Sequence, residues 1–187
     1  MKFTPTELPG VVIVEPAVFG DDRGWFYESF NEPKFQAGLR ELGLPAPRAF
    51  VQDNHSKSAA GVLRGLHYQL PPHPQGKLVR VVRGRVWDVA VDIRAGSKTF
   101  GRWVGVELSQ ANHRQLWIPE GFAHGFLSLE DDTEFLYKTT DVYAKDCERA
   151  IRWDDPTLGI AWPLAGLKLS LAPKDAQAPG LAQAQHP

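Results

Sequence analysis

Three stretches of this sequence hold histidines in company that suits chemistry: Leu63-Arg64-Gly65-Leu66-His67-Tyr68-Gln69, the outlying His73, and Ile118-Pro119-Glu120-Gly121-Phe122-Ala123-His124-Gly125-Phe126. Together with the lysine and tyrosine that follow them, they are suited to moving protons beside a carbonyl group. An imidazole abstracts such a proton well because its unperturbed pKa of about 6.5 lies near working pH, and His67 is the candidate base. The resulting enolate needs a cation or hydrogen-bond donor at its oxygen. Lys77 can supply one, an interaction worth roughly 3 to 4 kcal/mol in a preorganised site. Inversion at carbon then needs an acid on the opposite face, and Tyr137 shares one face of a strand-like run with Phe135 and Thr139. Each residue also has a plain structural use. A strand histidine is commonly a hydrogen-bonded structural residue, and tyrosine is favoured in strands, where its ring packs and its hydroxyl finds a surface partner. Lys77 precedes the strand-like run 78–82 and could be a solvated charge, and His124 could be structural. Asp88 and Asp92 could be ordinary polar residues of a half-buried face, and His73 reads as a surface residue.

The elements that must position these groups are mostly short extended segments separated by turn residues. The first, 11–15 and 25–30, flank the turn Gly20-Asp21-Asp22-Arg23-Gly24. One helix interrupts them at 32–42. Asn31 is its N-cap, Pro33 lies near its first position, Phe35, Leu39 and Leu42 recur at helical spacing, and Gly43 stops it. It reads as a peripheral helix covering a barrel. The clearest strand is 85–94, with Trp87, Val89, Val91 and Ile93 on one face and Val86, Asp88, Ala90 and Asp92 on the other. Further strands are expected at 103–108, 114–118, 125–129 and 134–140, with turn-rich connections and no helical period between them. This spacing favours an all-β antiparallel barrel, closed or of two sheets, with few short helices. Arg64 and His67 have opposite parity, so if both face one pocket, Gly65 marks a bulge or kink.

Length and composition narrow the partners. The 187 residues suffice for one well-buried core, and with no sharp compositional shift they read as a single domain spanning 1–187. The stretch 176–187 is rich in Ala, Gln and Pro, and the end from about 180 is expected to be mobile. A formal charge of -1, from 21 basic and 22 acidic residues, offers no global field for nucleic acid or an anionic membrane, so any phosphate must be bound locally. Cys147 is the only cysteine, which excludes an internal disulfide framework. The N-terminus lacks a secretory apolar run, and no stretch approaches the roughly 18 apolar residues of a membrane span. A reducing cytoplasm fits.

Pro119-x-Gly121-x-x-His124 resembles the second motif of the cupin superfamily. Metal-binding cupins supply H-x-H and a carboxylate from an earlier segment, because a transition ion needs several such ligands converging on one point. Here that segment reads His67-Tyr68-Gln69, with no carboxylate from 70 to 77 and the cation Lys77 where negative charge would be needed. A metal-free cupin is the expectation.

Taken together, the strings Phe19 to Gly24, Phe50-Val51-Gln52-Asp53-Asn54-His55-Ser56, Val62 to Gln69, Gln75 to Arg80, Gln115 to Phe126, Phe135 to Lys138, Trp153 to Pro163 and Lys174-Asp175 resemble the dTDP-4-dehydrorhamnose 3,5-epimerase family along nearly the whole chain. The resemblance implies a jelly-roll cupin fold, no cofactor, and a homodimer in which sheet edges are shared, the N-terminal strand among them. It implies epimerisation at C3 and C5 of dTDP-4-dehydro-6-deoxy-D-glucose in dTDP-L-rhamnose synthesis. Carried over, it makes His67 the proton acceptor, Asp175 the carboxylate holding its imidazole, Tyr137 the proton donor and Lys77 the partner of the C4 oxygen. Arg23, Glu28, Gln52, Asn54, Arg64, His124, Glu148 and Lys174 match positions binding the substrate or its diphosphate, with Phe26 and Tyr143 as stacking candidates. Arginine suits a diphosphate because its guanidinium can make two parallel hydrogen bonds.

Three other readings share parts of this pattern. A sugar-nucleotide monoepimerase would use the same base and acid but stop after one inversion. A metal-dependent cupin enzyme is disfavoured by Gln69 and Lys77, and a non-catalytic sugar-binding cupin by the retention of His67, Lys77, Tyr137 and Asp175.

Overall fold

The computed structural model describes residues 1–187. Two sheets face each other in a jelly-roll sandwich. The first runs β1 (Lys2–Pro5), β2 (Val12–Glu15), β10 (Gln115–Ile118), β7 (Lys77–Arg83), β12 (Thr133–Thr139), β5 (Gln52–Ser58). The second runs β13 (Glu148–Ala150), β6 (Val62–Gln69), β11 (Phe122–Ser128), β8 (Arg85–Asp92), β9 (Trp103–Ser109), and β14 (Ser170–Leu171) adds to β6 in parallel. All other pairings are antiparallel. The inner faces contribute Val79, Val81, Val86, Ala90, Leu108, Leu116, Phe126 and Phe135 to one buried cluster.

The alternation read in 85–94 is present, but neither face of β8 is open to water. Val86 and Ala90 point between the sheets, while Val89, Val91 and Ile93 pack outward under Ile151, Leu158, Trp162 and Leu181. The C-terminal third of the chain therefore covers the outer face of the second sheet, while Asp88 and Asp92 share the inner face with Val86 and Ala90 and are fully buried rather than half-exposed. Asp92 is satisfied by Arg94, Ser97 and Thr99.

The helix forms as α1 (Glu32–Glu41), with Asn31 accepting the Lys34 N–H and Gly43 taking a positive φ just after it. Its buried Phe35 and Leu39 pack on Val12, Val14, Leu78 and Trp117, the outer face of the first sheet. Gly38 permits the approach of Phe3, since a Cβ there would lie 2.2 Å from the phenyl ring. The extended segment expected at 25–30 is shorter than its sequence suggests. A hairpin of β3 (Phe19–Asp21) and β4 (Gly24–Phe26) closes through an Asp21 side chain that accepts the Arg23 N–H, and pairing ends at Phe26.

The tail, whose composition suggests mobility from about 180, is laid against the body. Leu181 is buried and its N–H donates to Asp155, the Gln185 carbonyl accepts from Tyr68, and the Gln185 side chain accepts from Arg149. No helix is long and apolar enough to cross a membrane.

Candidate active site

A cavity of about 280 Å³ opens between the sheets, lined mostly by polar side chains, and its floor is aromatic. Phe126 and Phe135 stack there at 4.2 Å between centroids, with His124 lying over Phe135. His67, on β6, enters from the second sheet. Its Nε2 lies 2.6 Å from Asp175 Oδ1, and Asp175 is almost wholly buried. With the carboxylate as acceptor, Nε2 carries the hydrogen and Nδ1 keeps the lone pair a base needs. Burial alone would raise the Asp175 carboxyl, but the His67 bond and charge, the Gly65 N–H and Lys174 outweigh it and hold the group below its usual range.

Asp175 comes from α2 (Pro173–Ala176), more than a hundred residues from His67 in sequence. The kink expected at Gly65 is present. Gly65 has φ +124, the β6–β11 register shifts between His124 and Phe126, and Arg64 and His67 both line the cavity. A side chain at Gly65 would start 2.5 Å from Gly125 Cα, so glycine is required by space as well as by conformation.

Lys77 opens β7 in the first sheet and is buried, its Nζ donating to the His67 carbonyl at 3.2 Å. Burial lowers its pKa to about 8, opposed by the charges of Asp88 and Glu148. Tyr137 stands on β12 in that same sheet, so it faces the cavity from the side opposite His67. Its hydroxyl has no partner within the chain, and burial raises its pKa, helped by Glu148 and opposed by Arg64 and Lys174. His124, next to His67 across the β6–β11 ladder, bonds both oxygens of Asp88 at 2.9 and 3.1 Å.

At the mouth, Glu148 accepts from Lys174 at 2.9 Å and from the Tyr143 hydroxyl at 3.0 Å. Gln52 accepts the Tyr143 N–H and donates to Asn54, the cross-strand neighbour of Tyr137. Arg64 is held by Ser58 and the Lys57 carbonyl, leaving Nη1 free. The structure thus brings together His67, Lys77, Tyr137, Asp175, Arg64, His124, Tyr143, Glu148 and Lys174 around one cavity, with Gln52 and Asn54 bordering it.

Arg23, Phe26 and Glu28 are not brought in. Arg23 and Phe26 line a separate hollow on the hairpin, and Glu28 pairs with Lys34 of α1. Ser56, Gln75 and Asp88 escaped sequence reasoning. The parity of Ser56 with Asn54 could have found it, whereas Asp88 becomes conspicuous only once β8 is seen to be buried on both faces. Gln69 commits its amide to the backbone at His73, Val142 and Ala144, and no three His, Cys, Asp or Glu side chains converge as a metal site would require.

Residues 5–183 match the family model described as dTDP-4-dehydrorhamnose 3,5-epimerase. The chain is 58% identical over 171 residues to the dTDP-4-dehydrorhamnose 3,5-epimerase of Shigella flexneri, covering 91% of each chain. It is 55% identical over 184 residues to that of Pseudomonas aeruginosa, covering 98% of each. Among solved structures it resembles the dTDP-6-deoxy-D-glucose-3,5-epimerase of Legionella pneumophila Philadelphia 1, in complex with dTDP-4-keto-L-rhamnose. That match has 50% identity and a TM-score of 0.90, with 97% of this chain and 93% of that one covered.

Proposed function

The chain belongs to the dTDP-4-dehydrorhamnose 3,5-epimerase family and is an isomerase of dTDP-L-rhamnose biosynthesis; we propose that it inverts C3 and C5 of dTDP-4-dehydro-6-deoxy-D-glucose with His67 as base and Tyr137 as acid. The observation that carries this reading is the approach of the two residues to one cavity from opposite sheets, with Lys77 beside it. Hydrogens on C3 and C5 are acidified by the C4 ketone. His67 Nδ1 takes one of them, the electron pair moves onto the C4 oxygen, and the Lys77 ammonium stabilises the enolate there. Tyr137 then delivers its phenolic proton to the other face of the carbon. The imidazolium and phenolate exchange protons with solvent, and the cycle repeats at the second centre. Asp175 orients the imidazole and stabilises its charged form.

Arg64, His124, Tyr143, Glu148, Lys174, Gln52 and Asn54 form the substrate-binding rim in this reading, Arg64 with a free guanidinium nitrogen for a diphosphate oxygen. No metal ion is needed, since every proton and charge has a side chain to serve it. Arg23 and Phe26 serve substrate from a partner subunit in a homodimer. Support comes from the hairpin's position away from its own cavity and its exposure of Phe19, Trp25 and Phe26, three large apolar side chains on one small element. Cys147 is a free thiol, which suits the cytoplasm we assign to the chain.

The test is incubation with the dTDP-4-keto sugar in deuterated water containing a chelator, followed by NMR at C3 and C5. Deuterium should enter both positions with inversion. Labelling at one centre alone would reduce the activity to monoepimerisation, and no labelling would remove the epimerase reading. In Tyr137→Phe the ring remains but the donor is gone, so the ratio of exchange to inversion should rise. An unchanged ratio at normal rate takes the acid's role from Tyr137.

A further inference from the structure

Asp88 lies beneath the cavity on β8, with no exposed surface. Both its oxygens accept from one ring nitrogen, Nε2 of His124 on β11, at 2.9 and 3.1 Å. The His124 Nδ1 makes no hydrogen bond within the chain, and the ring lines the cavity. Burying a carboxylate costs several kcal/mol unless it is compensated. A hydrogen bond shared from one neutral imidazole compensates it in part, and the charge of the buried Lys77 ammonium, beyond ion-pair distance, acts on it through space. We propose that Asp88 is a positioning residue for the enolate side of the reaction, fixing the His124 tautomer with Nδ1 toward substrate and holding Lys77 as a cation. This rests on the function proposed above and assigns the residue that keeps its oxyanion partner charged.

The groups facing Lys77 are Asp88 from β8, His67 from β6, His124 from β11, Glu148 from β13 and Tyr137 from β12. Of these, Asp88 and Glu148 raise its proton affinity against burial. Glu148 divides its charge with Lys174, which it bonds at 2.9 Å, whereas Asp88 has no cationic side chain of its own in hydrogen-bond contact. His124 is held toward its neutral form by burial, opposed by Asp88, with Lys77 and His67 acting in the same direction as burial. A neutral His124 whose Nε2–H is committed to Asp88 presents a lone pair at Nδ1, so it accepts a hydrogen bond from a substrate hydroxyl and leaves enolate stabilisation to Lys77. Two adjacent cations would repel each other; Asp88 settles which of the pair is charged.

Three measurements test this on the full-length enzyme. In the substrate-free protein, nitrogen-15 NMR of histidine, with His124 assigned by its loss in His124→Gln, should give the neutral Nε2–H tautomer at pH 7. The Nδ1–H tautomer or an imidazolium overturns the proposal. Lysine carbon-13 NMR should show Lys77 titrating about one pH unit lower in Asp88→Asn than in the unmodified chain; an unmoved midpoint overturns it. In turnover assays the alkaline fall in kcat should move down by the same amount in Asp88→Asn, about a fivefold loss at pH 8 that approaches about tenfold above pH 9, with KM changed far less. A pH-independent loss would mark Asp88 as merely structural. If Asp88→Asn does not fold, the histidine spectrum of the unmodified chain still decides. The NMR arms need no substrate, so an inactive wild-type enzyme would sink the proposed function while leaving the Asp88 linkage to be judged separately.

Discussion

His67 reaches the cavity with one ring nitrogen committed to a buried carboxylate, and this separates the consequences of losing either partner. His67→Asn removes the base itself, and kcat should fall by about 10² to 10⁴-fold. Asp175→Asn keeps a hydrogen-bonding group near Nε2 but no longer dictates which nitrogen carries the hydrogen, so its loss should be smaller and lie in kcat. Equal losses in both variants, measured under saturating substrate, would mean that Asp175 takes part in proton transfer itself. Lys77 gives the site a pH limit of a different origin. Because burial lowers it to about 8, the ammonium is present below that pH and is lost as pH rises through it. Turnover should therefore decline above about pH 8, before Tyr137 ionises, since burial holds the phenol above its ordinary value of 10.0. A plateau in kcat up to pH 10 would show that Lys77 does not stabilise the enolate.

The elements show why some of this could be read from the sequence and some could not. Helix α1 announces itself through Asn31, Pro33 and Gly43, all local signals, and β8 through an unbroken period of two. β5 gave no such signal because Gln52–Ser58 contains no apolar residue. One side of it faces the polar cavity and the other faces water, so no hydrophobic alternation exists to be seen. A different cause hid Asp88. A period-two pattern reports alternation but not which face turns inward, and on β8 the face that carries Asp88 lies between the sheets while 151–184 covers the other. The kink in β6 was legible only as a conflict of parity between Arg64 and His67, and Gly65 resolves it. Gly65→Ala should then cost about 2 kcal/mol or more, from the strained conformation and the 2.5 Å approach to Gly125. Because His67 lies two residues on, kcat should fall as well, by about tenfold or more. Urea denaturation and turnover at saturating substrate measure the two effects; an unaltered midpoint would mean that the strand straightens without loss.

At the scale of the whole molecule, the homodimer proposed above is what would join the hairpin to the cavity. Arg23 and Phe26 resemble substrate-binding positions, yet within one chain they line a hollow apart from His67 and Tyr137. In the proposed homodimer, with twofold symmetry, each hairpin would meet the partner's cavity, and the two sites would be equivalent. This arrangement makes a prediction that no single-chain site shares. The His67→Asn chain lacks a base but carries an intact hairpin, whereas the Arg23→Ala chain has an intact base but offers its partner no guanidinium for the diphosphate. Each variant alone should be weak at low substrate concentration. When the two are unfolded together and refolded in equal amounts, half the dimers are mixed. In each of these, the cavity with His67 receives the hairpin with Arg23. Its partner cavity lacks both. Activity should recover to about a quarter of the unmodified level, one working site in two across half the dimers. If Arg23 instead served its own chain's cavity, every site in the mixed dimer would still lack one of the two residues. Activity would then remain at the average of the separate variants, and the shared site would be excluded.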